Sequence, residues 1–521
     1  MKKGLSLIIG LLTVVQVFSQ PKPKKLGPAL NVHSFNYYAP FVSLDGNSLI
    51  FLYDYTEDGE PALFLSVRQG GNWKEPLAVP KKLTSLSYMR ASTLNPDGKV
   101  IFVTSQKGGL GGYDIMSANI SGSAFSELMP LGAPVNSPLH EGSPTISADG
   151  STLYFMRCGK MTTTSADDCK IFMSKKDSRN QWGAPVELPA TINSGNSQMP
   201  RIMADGQTLL FSSNKLSPSK GGHDVYLSRL TNGQWNAPVS LTMINTSGDD
   251  LYFSAPYQGL SVMRDWPGDG KSELVEFNFA PDVKPRTTTR VIGTLSGVTD
   301  PAKASVKLID LATNVMLSNA RPDAKGEFVT YVPEGGEYGL FVDPPTENMN
   351  FWSKAYDYRS GRVPLTDRIT TNIKAVGPGD EMVLEGVRFK PYSAELDPTS
   401  SATLQRVAKL IWGNLALHFE VDVTFYGLQQ DTIPTIDLTE TKADTVVYEM
   451  EVQIDSVTTE MQDSIAIETT YHNDRTAKQA SAIASFLYKQ AVKPDRITLT
   501  HRALVEPVAE KRRTVITLRV R

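Results

Sequence analysis

Short runs of alternating apolar and polar residues fill the first half of the chain, and they return at a near-constant interval. Ser48-Leu49-Ile50-Phe51, Lys99-Val100-Ile101-Phe102-Val103, Thr152-Leu153-Tyr154-Phe155 and Thr208-Leu209-Leu210-Phe211 each follow an Asp-Gly pair. These pairs close the segments Ser43-Leu44-Asp45-Gly46, Asn95-Pro96-Asp97-Gly98, Ser147-Ala148-Asp149-Gly150 and Met203-Ala204-Asp205-Gly206, whose aspartates lie 52, 52 and 56 residues apart. Asp-Gly offers the positive φ angles of a tight turn and period two marks a strand, so every unit predicts a β-hairpin. A second, Gly-rich hairpin recurs at Gly111-Gly112-Tyr113-Asp114 and Gly221-Gly222-His223-Asp224, and Trp73, Phe125, Trp182 and Trp235 each precede an exit strand. A weaker fifth unit runs over 241–277. Four short strands in about 50 residues predict a propeller blade. Five blades are counted over residues 20–280, with six the alternative if the stretch around 26–31 completes a last blade.

Asp45, Asp97, Asp149 and Asp205 are carboxylates at fixed places, which could suggest Ca²⁺. Each is instead expected to cap its own turn by accepting from nearby backbone N–H groups. Beyond a Pro-rich linker at 281–285 the pattern changes. Four short strands, at 291–295, 304–310, 323–328 and 335–340, predict a small β-sandwich over 281–375. Residues 376–521 alternate strand and helix: strands at 384–389, 419–426 and 513–520, and helices at 400–412 and 476–488, where Leu404, Val407, Ala408 and Ile411 form one apolar face. The expected fold class is multidomain and mainly β, ending in an α+β domain.

The Asp-Gly units resemble the WD40-like, TolB-type propeller repeats. The strands of 288–375 resemble the carboxypeptidase regulatory-like domain, a sandwich that is not a peptidase. Val387-Arg388-Phe389-Lys390-Pro391-Tyr392-Ser393-Ala394-Glu395-Leu396 and the closing Lys511-Arg512-Arg513-Thr514-Val515 resemble the OmpA-like domain. That resemblance implies a grip on peptidoglycan by an Asp after the second strand and an Arg on the second helix. Here the family's loop reads Gly427-Leu428-Gln429-Gln430 and the Arg place falls on Gln479, with Asp431 and Arg475 the nearest substitutes, each out of register. Gln keeps hydrogen bonding but loses the ion pairs that such a grip needs. An insertion at 431–470 carries ten acidic residues and one lysine, Lys442, a local charge of −9. Its alternation at 445–454 and 464–469 predicts a long hairpin, either solvated, docking a basic partner or holding Ca²⁺ weakly.

Lys2 and Lys3, an apolar run from Leu5 to Val17 and the small-residue site before Gln20 read as a secretory signal over 1–19. Export places Cys158 and Cys169, the only cysteines, in an oxidising compartment, where a disulfide across a loop is expected. A formal charge of −3 without a basic stripe argues against nucleic acid as a partner. The six histidines lack His-x-x-x-His spacing, no Gly-x-Ser-x-Gly elbow is present, and no metal or cofactor motif appears. The expected protein is therefore not an enzyme. The domain order resembles periplasmic, outer-membrane-associated proteins of Bacteroidetes-type envelopes, some of them linked to type IX secretion. It implies a scaffold for envelope proteins, with peptidoglycan a further candidate partner. The alternatives are a propeller that senses a glycan or peptide and, behind it, a propeller glycosidase, whose carboxylates come from distant parts of the chain.

Overall fold

The computed structural model describes residues 22–521, apart from 28, 33–35, 55–60, 269–270, 392, 428–440, 456 and 472–474. The segment read as a secretory signal lies outside the described residues. The chain is mainly β and multidomain. Its N-terminal half is a β-propeller of five antiparallel sheets, with inner strands Tyr37–Val42, Thr93–Leu94, His140–Ile146, Ser197–Ile202 and Phe253–Ser254. Lys24–Lys25 pairs with Ser272–Asn278, so the N-terminal stretch joins the fifth sheet and ties the two ends of the propeller together.

In the Asp-Gly turns the glycine alone is left-handed, with φ of 76° at Gly46, 70° at Gly98, 73° at Gly150 and 64° at Gly206. The aspartate acts through its carboxylate. Asp45 accepts from Ser43 Oγ at 2.6 Å and the Asn47 N–H at 3.1 Å, and Asp149 from Ser147 Oγ at 2.6 Å and the Ser151 N–H at 3.0 Å. Asp205 accepts from the N–H groups of Gln207 and Thr208, both at 2.9 Å, and Asp97 from that of Lys99 at 3.2 Å. A second repeated device joins neighbouring sheets. The amides of Asn136, Asn193 and Asn245 each take both backbone groups of one residue, Ile115, Ile171 and Val225. Asn31 does the same to Leu274, closing the ring.

The Asp-Gly end of the propeller is covered by the sandwich. Asp149 accepts from the Asn319 N–H at 2.9 Å, Arg286 donates to Gln207 at 2.8 Å, and Tyr257 packs against Tyr331 at 5.4 Å. This double duty separates otherwise similar aspartates. Asp149→Ala should cost about 2 kcal/mol and the more exposed Asp97→Ala about 0.5 kcal/mol, read from the unfolding transition. Equal losses would mean that the contact with the sandwich contributes nothing.

The sandwich has a three-stranded sheet, ordered Glu327–Pro333, Thr288–Ser296, Thr366–Asn372, and a four-stranded one, ordered Val315–Ala320, Ser305–Asp310, Glu337–Asp343, Trp352–Asp357. Three of these strands were not predicted: Val315–Ala320, Trp352–Asp357 and Thr366–Asn372. The C-terminal sheet runs Glu381–Val383, Arg513–Val520, Phe419–Gly427, Ile497–Val505. Helices Ser401–Gly413 and Thr476–Lys489 bury Leu404, Val407, Ile411, Ile483 and Leu487 with Phe419, Val421 and Leu518 of the sheet. The strand expected at 384–389 is corrected to Glu381–Val383. A turn at Glu385-Gly386 ends it, because Leu384 and Val387 both drop into the core. Arg406 grips Asp343 of the sandwich through two bonds of 2.5 and 3.1 Å. In the acidic insertion, Thr441–Gln453 pairs with Thr459–Tyr471 as an isolated two-stranded sheet.

Candidate functional site at the propeller mouth

With one face of the propeller taken by the sandwich, the opposite face is where the inner strands begin. The repeat interval identifies equivalent places there. Tyr38, Arg90, Gly142 and Gln198 are 52, 52 and 56 residues apart, the spacing of the turn aspartates, and Tyr252 precedes the fifth inner strand. The backbone is specialised at this level. Pairing slips between Tyr38 and Phe41, Gly142 and Thr145, and Gln198 and Arg201. Inside each slip a non-glycine residue is left-handed, Ala39 at φ 51°, Ser143 at 49° and Met199 at 51°, each followed by proline. Such bulges re-aim side chains and cluster near functional sites. In the second sheet a single turn, Met89–Ala91, does the same work.

Five equivalent places thus hold a phenol, a guanidinium, a glycine, an amide and a phenol. The Arg90 guanidinium carbon lies 5.2 Å from the Tyr38 ring centre and 5.8 Å from that of Tyr252. The hydroxyls of Tyr252 and Tyr88 are 3.1 Å apart. Burial opposes the charge of Arg90, yet the phenols of Tyr252, Tyr38 and Tyr88 outweigh it and hold the guanidinium above its ordinary value. Burial also raises the Tyr252 phenol, and burial with Asp54 raises that of Tyr38. Two carboxyls stand beside the ring. Asp54 accepts from Asn36 at 2.8 Å. Asp265 accepts from the Ala39 N–H at 3.2 Å and lies 3.7 Å from Arg264, but burial still pushes its carboxyl up.

Below the ring the channel is closed. Arg201 is buried over the Phe41 ring at 4.6 Å and donates to Pro200 O, Ser143 Oγ and Phe253 O. A void of about 20 Å³ remains, so the site is a mouth rather than a passage. The third sheet reaches toward it with its longest hairpin, Thr152–Met161 against Ala166–Lys175. Cys158 and Cys169 form a disulfide across directly opposed strand positions. The expected link across a loop is therefore corrected: the loop lies further out, at 162–165. Gln198 donates to Ala166 O at 2.9 Å, holding the hairpin tip to the ring, while its own Oε1 is buried without a partner among the described residues.

Of the residues proposed from the OmpA-like resemblance, three are among the described residues. Gly427 is buried, and a Cβ there would come within 2.1 Å of the Phe425 ring, so packing explains the glycine. Gln479 is buried and donates to Ser393 O at 3.3 Å. Arg475 stands half-buried just ahead of the helix Thr476–Lys489. Gln430 and Asp431 lie outside the described residues. On the propeller's inner strands the described residues include one carboxylate, Glu141, held by Ser137 and Arg157. The mouth ring was missed in the sequence, although its spacing was already visible in the aspartates.

No family model and no curated protein matches the chain. Solved structures do. The catalytic domain of a Coprinopsis cinerea GH62 α-L-arabinofuranosidase matches at 11% identity and TM-score 0.32, over 50% of this chain and 98% of that one. A Bacillus subtilis arabinanase matches at 13% and 0.28, over 46% and 93%. A thermostable family-43 glycoside hydrolase matches at 10% and 0.30, over 51% and 100%. The likeness is one of fold, a β-propeller. The expectation that the chain is not an enzyme is corrected: the solved structures it matches are glycosidases, and missing linear motifs do not argue against one, since glycosidase carboxylates can come from distant segments.

Proposed function

We propose that the propeller mouth binds a saccharide, in a chain exported to the cell envelope. The observation that carries the reading is the pair of tyrosines on either side of Arg90, set at equivalent repeat positions on the open face. Sugar rings present C–H faces that pack on aromatic rings and hydroxyls that need fixed polar partners, and both are offered here. The signal-like leader and the Cys158–Cys169 bridge support export. We read the five sheets as five blades and the C-terminal order of strands and helices as OmpA-like.

Oligosaccharide binding followed by calorimetry tests the site. Tyr38→Ala and Tyr252→Ala should each weaken binding about tenfold, and Asp97→Ala on the covered face should not. Wild-type affinity in both tyrosine variants would remove the mouth as the site. A second reading, hydrolysis of a glycosidic bond at the same place, is favoured by Asp265, whose raised carboxyl suits a proton donor. It predicts that Asp265→Asn abolishes turnover while binding survives.

A further inference from the structure

The arginines of the propeller are provided for in different ways. Arg157 meets Glu141 at 2.7 Å, Arg264 meets Asp250 at 2.6 Å, and Arg201 is surrounded by oxygen acceptors. Arg90 differs. It is half-buried at the mouth, flanked by ring faces, and makes no ion pair among the described residues. The nearby carboxyls are engaged elsewhere, Asp54 with Asn36 and Asp265 with the Ala39 N–H beside Arg264.

We infer that the saccharide taken at the mouth is acidic, and that Arg90 receives its carboxylate. This rests on the mouth being a saccharide site. A guanidinium fixed between rings presents a planar fork of donors, which matches a carboxylate through two parallel bonds. Arg90 stays charged beside the phenols and has no carboxylate of its own among the described residues, so a carboxylate from the ligand adds charge-assisted bonds that nothing in the free site replaces. A uronic acid residue brings that carboxylate on a ring that can pack against Tyr38 and Tyr252; a neutral sugar lacks the first, and a simple carboxylate ion lacks the second.

Calorimetric titration of the full chain with tri-galacturonate, with galactotriose as the uncharged counterpart and acetate as a bare carboxylate, tests this. Tri-galacturonate should bind at least about tenfold more tightly than galactotriose, acetate should bind far more weakly, and the gap should nearly close in Arg90→Gln. Arg90→Lys, which keeps the charge without the fork, should fall between. With the wild-type chain alone, raising the salt should weaken the acidic ligand and leave the neutral one unchanged, which keeps the test open if the variants fold poorly. Equal affinity for the two trisaccharides, or a gap that survives Arg90→Gln, overturns the acidic assignment and leaves the saccharide site standing. Binding of neither trisaccharide removes both.

Discussion

With Arg201 replaced by alanine, the propeller should lose about 3 kcal/mol of stability, a fall of roughly 6–12 °C in its melting transition. The side chain fills the axis and, among the described residues, has no carboxylate partner. Its charge is offset by Pro200 O at 2.7 Å, Ser143 Oγ at 2.9 Å, Phe253 O at 3.3 Å and the face of Phe41. Burial pushes the guanidinium down to about 9, so it is still cationic at neutral pH. Alanine leaves three acceptors unpaired and widens the axial void. Methionine fills the space and removes a buried charge, and such exchanges are often neutral or stabilising. Arg201→Met is therefore expected within about 1 kcal/mol of the wild type, by calorimetry of the full chain with the transitions resolved. If methionine costs as much as alanine, the hydrogen bonds rather than the packing hold the channel shut. An alanine variant as stable as the wild type would show that Arg201 does not plug it.

Much of this propeller was legible because its signals are local. Asp149 bonds to Ser147 and Ser151, so a few residues are enough to read the turn. The asparagine latches escaped notice because their partners are distant: Asn136 reaches back to Ile115 and Asn31 reaches across to Leu274. Their shared feature, an apolar residue before Asn at Leu30, Val135, Ile192 and Ile244, was nevertheless present. The mouth escaped for the opposite reason. A search for repeats looks for sameness, while Tyr38, Arg90, Gly142 and Gln198 share a position and nothing else. In the sandwich, Thr366–Asn372 was missed because Thr-Asp-Arg-Ile-Thr-Thr-Asn has a single large apolar residue, as an edge strand can. Ile497–Val505 does alternate at Ile497 and Leu499. What the sequence did not indicate is that it runs parallel to Phe419–Gly427 and completes the C-terminal sheet.

That sheet sets up the second large effect. On its face away from the helices, Arg519 donates to Glu420 at 2.8 Å, to Asp422 at 3.3 Å and to Glu381 at 2.6 Å. Arg519→Met leaves Glu420 and Asp422 covered and sharing Thr500, with Arg521 as the cation left on Glu420 and Arg502, at 3.9 Å, as the one left near Asp422. Removing one member of a fully buried ionic cluster costs about 3–5 kcal/mol. Here the other pairing arginines, Arg521 and Arg502, are more than half exposed and solvent screens them, so about 2 kcal/mol is expected. Burial opposes ionisation of both carboxyls. Hydrogen bonds from Arg521, Arg519 and Thr500 outweigh it at Glu420, and those from Thr500 and Thr424, with the charge of Arg519, at Asp422; both are held below the usual carboxylate range. A carboxylate whose folded value is the lower one stabilises the fold above its unfolded value, near pH 4. That contribution disappears as the pH falls through the folded values. The C-terminal transition of the wild-type chain should therefore hold steady from pH 7 to about 5 and fall below 4. In Arg519→Met it should start lower and change less with acid, because the two carboxylates have lost their shared cation and protonation now relieves part of their mutual repulsion. Parallel profiles for the two proteins, separated by a constant offset, would show that the arginine contributes packing and no charge.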